Sequence, residues 1–287
     1  MINLWNPQHV SLAIGLMTAL FLGMIHGITP DEHTWPITFS YAIGSYSTQG
    51  GMRAGFYFSA AFTVQRAIAS QLAYFTLVGF LMKPGEETII YFLVGLVMVI
   101  SGYYVLYRGK SFHLLPWVEK LLPPMSEDGK PVPVKLALLH GFVAGWGTGP
   151  MATILYTVIA PTMPASWLGF MPGFLFGLGT TMMQVVIGAA FGRWIERKKL
   201  DGKVKAFIGQ FVAGNTLFYG GMLFVLIAAI TSWIPGLMDW GIATGIHVHN
   251  LDTMNIGLIL VIVIVAGIGG SSIWRALWKV QEAARAR

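Results

Sequence analysis

The chain contains no cysteine. Disulfides, thiolate metal sites, iron–sulfur clusters and thiol redox relays are therefore excluded. Charge is scarce too. Asp, Glu, Lys and Arg together make up 10% of 287 residues, against roughly 25% in a soluble domain. No Gly-x-x-x-x-Gly-Lys-Ser/Thr phosphate loop occurs, so any use of ATP would fall to another subunit. No nucleophile–base spacing stands out, and an enzyme is not expected. The first apolar run lacks a basic leader and a small-residue cleavage site, so it is expected to stay as a membrane helix.

What the chain has in abundance is apolar sequence, 55% hydrophobic with a mean hydropathy of +0.66. That composition specifies an all-α, polytopic membrane protein in contact with lipid. A membrane crossing needs about 20 mostly apolar residues. Seven stretches qualify, at roughly 9–29, 54–82, 87–107, 135–160, 166–192, 206–231 and 255–274. Thirty-five glycines among them suit close helix packing. Thr34–Gly51 is too short to cross and is expected to be re-entrant or interfacial.

The net charge of +6 does not point to nucleic acid, because the cations cluster in short loops. Five lie in 108–135, six in 193–205 and four in the tail, all on one side of a seven-span protein. The positive-inside rule then puts the N-terminus outside and the C-terminus in the cytoplasm of a cell (inner) membrane. The expected organisation is a three-helix repeat over 1–107, a cytoplasmic linker over 108–134 and a second three-helix repeat over 135–231. An external loop over 232–254 and a last helix with a basic tail over 255–287 complete it. Both repeats open on an apolar helix bearing His-Gly, at His26-Gly27 and His140-Gly141. An odd number of spans separates them, so the second would run inverted, a common transporter design.

The densest chemistry lies in Gly23-Met-Ile-His-Gly-Ile-Thr-Pro-Asp-Glu-His-Thr-Trp-Pro36. Proline has no N–H, so Pro30 deprives the His26 carbonyl of its helical partner and Pro36 does the same to Glu32. Broken backbone at membrane depth is tolerated where it lines protein or a wet cavity. Imidazoles with carboxylates suit a divalent transition metal such as nickel or cobalt. The candidate ligands are His26, Asp31 and His33, with His140 joining across the repeat interface and Glu32 as a secondary candidate. The bland alternative is a capped helix end with hydrogen-bonded histidines. Arg66, buried in mid-span, is expected to pair with Asp31 or Glu32, or else to bind an anion. His247 and His249 point the same way in an extended segment and form a possible secondary metal-collecting patch. The fifteen methionines are packing residues.

On these residues the chain resembles the nickel/cobalt transporter (NicO-type) group, including urease-accessory permeases, within a superfamily of small exporters with paired three-helix repeats. His26-Gly-Ile-Thr-Pro-Asp31-Glu32-His33 is similar to that group's first-helix motif, and His140-Gly141 onward to the opening of its second repeat. The resemblance implies metal contact by His26, Asp31 and His33, with His140 beside them. It departs where Glu32 separates Asp31 from His33, and where Val64-Gln65-Arg66 stands in place of a Gly-His.

The leading expectation is a secondary transporter of Ni²⁺ or Co²⁺, with the metal as substrate and no covalently bound cofactor. One alternative is an exporter of a small anion such as a sulfur oxyanion, using Arg66 and helix N-termini. Another is a non-transporting membrane subunit that docks a redox or maturation complex. Seven scattered histidines are too few for a histidine-box oxygenase.

Overall fold

The computed structural model describes residues 11–75, 86–107, 136–147, 149–198, 200–246 and 251–285. It is about 82% helical. Among the described residues, four helices are long and apolar enough to cross a membrane: Glu87–Leu106, Ser166–Glu196, Gly202–Trp233 and Ile256–Glu282. This fits an all-α membrane protein. A two-stranded hairpin, β1 (Gly241–Ala243) antiparallel to β2 (Thr253–Asn255), is a small departure from it.

Helix α1 (Leu12–Ile28) starts at Ser11, whose hydroxyl accepts the Ile14 amide at 3.4 Å. It stops at Thr29, which is extended at φ −76°, ψ 146°. Proline clashes with a helical residue before it, so Thr29-Pro30 ends the helix where the sequence says it should. The Thr29 hydroxyl donates to the Ile25 carbonyl at 2.8 Å and caps the loose end. Pro36 acts differently from expectation. It sits in the first turn of α2 (Trp35–Gly44), where a missing N–H costs nothing. The stretch read as re-entrant or interfacial is this short helix, buried throughout from Pro36 to Gly44 because α8, α3 and α7 enclose it.

Tyr46, at φ 43°, turns the chain into α3 (Thr48–Tyr74). Helix α4 spans Glu86–Leu106. The stretch read as one continuous span over 135–160 is interrupted. Its first part is α5 (Leu136–Ala144), and after a Gly-rich break α6 (Pro150–Ile154) runs on through a π-turn at Leu155–Ile159 and a 3₁₀ turn at Ala160–Thr162. Helices α7 (Met171–Glu196) and α8 (Gly202–Trp233) follow. Beyond the hairpin, α9 (Ile256–Val261) continues through a π segment, Ile262–Gly269, into α10 (Gly270–Arg285). The expected linker over 108–134 lies outside the described residues.

The main packing pairs are α3 with α7, α4 with α8, α1 with α7 and α3 with α5. Tyr41, Phe58, Met98, Leu217 and Phe224 fill the centre, each fully buried. Outward faces are apolar as well, with Phe21, Val186 and Leu226 more than half exposed. Helices apolar all round belong in lipid.

Glycines set how closely the helices approach. A Cβ at Gly23 would strike the Phe176 carbonyl, and one at Gly141 would strike the Phe58 carbonyl. Likewise a Cβ at Gly55 meets the Gln184 carbonyl and one at Gly173 meets the Arg66 carbonyl. The pairs map onto each other by one shift: 23 to 141, 58 to 176, 55 to 173 and 66 to 184 are all steps of 118. The His-Gly match in the sequence, 26 to 140, is a step of 114. It is therefore one helical turn out of register with the packing. His26 corresponds to Ala144, and His140 to Leu22.

Candidate metal centre

Because Thr29 and Pro30 end α1 and α2 does not begin until Trp35, residues 29–34 form an irregular connection. Asp31 organises it. Its backbone carbonyl accepts the amides of Thr34 and Trp35 at 3.2 and 3.0 Å, and its Oδ1 accepts the His33 amide at 2.9 Å. The short polar side chain replaces the missing helical bonds, as Asp does in turns.

That turn brings three donors to one place. Ligand atoms of Asp31, Glu32 and His33 all lie within 4.8 Å of one another. His33 Nδ1 is 3.4 Å from Glu32 Oε1 and 4.0 Å from Asp31 Oδ1. His26 joins through Asp31, with its Nδ1 3.8 Å from Oδ2. Metal–ligand bonds of about 2.1 Å hold opposed donors roughly 4 Å apart, so small rotations would close the set on one ion. His26 is clamped between the rings of Phe62 and Phe176, at centroid distances of 5.6 and 5.3 Å. His33 packs against Tyr91 and Phe224.

These residues line a cavity of about 180 Å³. Glu87 and Tyr91 of α4 enter it from the side, and the Tyr91 hydroxyl donates to Glu32 Oε1 at 3.2 Å. The start of α9 closes another wall, where Gly257 leaves room for the carboxylate: a Cβ there would lie 2.5 Å from Glu32 Oε2. The second break faces the first. Gly147 sits against His33, and a Cβ on it would be 3.4 Å from the imidazole Cε1. Ala144, the counterpart of His26, also lines the cavity.

Arg66 lines the cavity and is 3% exposed. Its expected pairing with Asp31 or Glu32 is not what its described hydrogen bonds show. One guanidinium nitrogen donates to the Tyr156 hydroxyl at 2.7 Å and another to the Gly147 carbonyl at 2.9 Å. The cation also stands over the rings of Phe62, Phe176 and Tyr156 at 4.7, 5.6 and 5.8 Å. Carbonyl, hydroxyl and ring faces thus stabilise the buried charge, with neutral groups in the role expected of a carboxylate.

His140 is not brought to the cluster. It is fully buried on a face of α5 turned towards α2, where its Nδ1 is 3.2 Å from both the Tyr41 hydroxyl and the Leu136 carbonyl. The one-turn register difference is the reason. His247 and His249 lie outside the described residues. Sequence reasoning passed over Glu87, Tyr91, Tyr156 and Gly257. Glu87 gave a signal, a carboxylate in the first turn of an apolar helix, but nothing tied it to residue 32.

No family model, curated protein or solved structure matches the chain.

Proposed function

We propose that the chain is a secondary transporter of a divalent transition-metal cation, Ni²⁺ or Co²⁺, with the cavity between its two broken helices as the substrate site. The observation that carries this reading is the convergence of Asp31, Glu32 and His33 within 4.8 Å at a buried chain break. Mixed imidazole and carboxylate donors suit such ions, and irregular backbone around a central site is how many transporters bind their substrates. The NicO-type resemblance of the His26–His33 motif points the same way.

In this reading α1 and α2 together make one broken crossing and α5 and α6 another. With α3, α4, α7, α8 and the α9–α10 helix the count is seven. The common shift of 118 residues, with α3 and α7 packed against each other, supports an inverted repeat of three plus three. The cations of 193–205 and the tail support a cytoplasmic C-terminus in a cell inner membrane.

Titration of the purified protein with Ni²⁺ and Co²⁺ tests the reading. Saturable binding that is lost in His33→Ala and Asp31→Asn, with the fold retained, is the expected result. Absence of saturable binding by the wild type would refute it. Arg66 in the same cavity favours the anion exporter as the second reading, for which the wild type would bind a sulfur oxyanion instead.

A further inference from the structure

We infer that Arg66 is a tethered cation that weakens the cavity's hold on its divalent substrate and so permits release; this rests on the cation reading above. The argument begins with a comparison inside the molecule. Gln184 is the counterpart of Arg66 under the 118-residue shift, and its amide donates to the Gly27 carbonyl at 2.9 Å. Arg66 donates to the Gly147 carbonyl, also at 2.9 Å, two residues beyond Gly145, the counterpart of Gly27. Each side chain holds a backbone carbonyl at the opposite half's break, Gln184 in the last turn of α1 and Arg66 three residues past the end of α5. A neutral amide performs that task at 184, so the task does not require a charge at 66. Keeping a cation buried at membrane depth is costly, and holding the break does not account for it.

The surroundings indicate what the charge acts upon. Both hydrogen-bond partners of Arg66 are neutral, and its Nε has no described partner. Its described hydrogen bonds thus bring it no countercharge. Among the described residues lining the cavity it is the one fixed cation, in company with Asp31, Glu32 and Glu87. It shares the rings of Phe62 and Phe176 with His26, and its partner Gly147 leaves only the room of a methyl group before His33. A divalent ion bound in this cavity would feel the like charge that lines the same walls, and inside a protein such repulsion is stronger than in bulk solvent. A transporter that bound its ion without such opposition would release it slowly, since most differences in affinity lie in the off-rate.

The test compares full-length wild type, Arg66→Gln and Arg66→Lys, titrated with Ni²⁺ in detergent and assayed for Ni²⁺ movement after reconstitution into liposomes. Glutamine copies the residue found at 184, offers an amide donor in place of the guanidinium and removes the charge. Arg66→Gln should bind Ni²⁺ about tenfold or more tightly, by the Coulomb estimate for a nearby unit charge in a low-dielectric site, and should transport it more slowly. Arg66→Lys should stay near wild type in both measurements. A merely structural role would instead lower affinity and transport together. A folded Arg66→Gln protein that binds Ni²⁺ as the wild type does, or more weakly, overturns the inference. So does saturable sulfite binding by the wild type that Arg66→Gln abolishes, which would make Arg66 an anion site. Should Arg66→Gln not purify as a single species, Arg66→Met beside Arg66→Lys poses the same question. Wild type that binds no divalent metal refutes the transport reading itself, and the first titration shows this before any variant is measured.

Discussion

The hydroxyls of Thr63 and Thr181 meet at 3.2 Å where α3 crosses α7. They are 118 positions apart, the same step that relates the glycine contacts to one another. Around it, Gly55 opposes Gln184 and Gly173 opposes Arg66, backbone against backbone.

From this crossing comes a matched pair of expectations. Gly55→Val and Gly173→Val should each destabilise the protein by about 1–3 kcal/mol or more, the usual cost of overpacking, because a backbone carbonyl cannot swing aside as a side chain can. Thermal unfolding of each variant in detergent, followed by tryptophan fluorescence, measures this. Equal losses are expected, and a Tm unchanged in either variant would contradict the equivalence.

His33 and His140 should separate cleanly. His33→Ala is expected to weaken Ni²⁺ binding tenfold or more, on the order of 1.4 kcal/mol, with little effect on Tm. His140→Leu should leave the binding isotherm alone and lower stability by about 1 kcal/mol through loss of its bond to Tyr41. Weaker metal binding in His140→Leu would return that residue to the site.

Gly257→Ala probes the wall facing Glu32. The added methyl would press on the Glu32 carboxylate, the far end of a flexible side chain, so the fold should survive. The ligand would move, however, and Ni²⁺ affinity should fall by several-fold. An unchanged isotherm would remove Glu32 from the set.

Tyr156→Phe takes away one tether of Arg66 while leaving its charge and its bond to Gly147. A hydrogen bond to a charged group contributes about 1.5–3 kcal/mol, and a drop in Tm of that order is expected. Since the charge stays, Ni²⁺ affinity should change far less than in Arg66→Gln.

Much of the site was legible in the sequence because it is local. Pro30 dictates where α1 ends, and Asp31, Glu32 and His33 are neighbours in the chain, so their proximity needs no knowledge of the fold. The membrane class was legible from composition. What was not legible depends on long-range packing. The eight residues from Pro36 to Ile43 carry no amphipathic stripe, so nothing in them announced a fully enclosed helix. The His-Gly match suggested that His26 and His140 correspond, whereas register is set by which glycine meets which carbonyl, and that places Gly23 opposite Gly141. Arg66 signalled only that it needed partners. Choosing the Gly147 carbonyl and Tyr156 over the carboxylates required the second break to be in place.

The pattern of packing also bears on how the chain is made. Helix α1 lies along α7, α3 against α7 and α5, and α4 against α8, so these three helices find their principal neighbours in the second half. A ribosome adding roughly 5–20 residues per second needs on the order of ten seconds to supply the counterpart of any given residue. During that interval the first half would sit in the bilayer with Arg66 lacking Tyr156 and Gly147. Under the proposed membrane topology, biogenesis would then include a waiting period in which the half-built bundle carries Arg66 without these partners, to be accommodated by the insertion machinery or the lipid headgroups until α5 and α6 emerge.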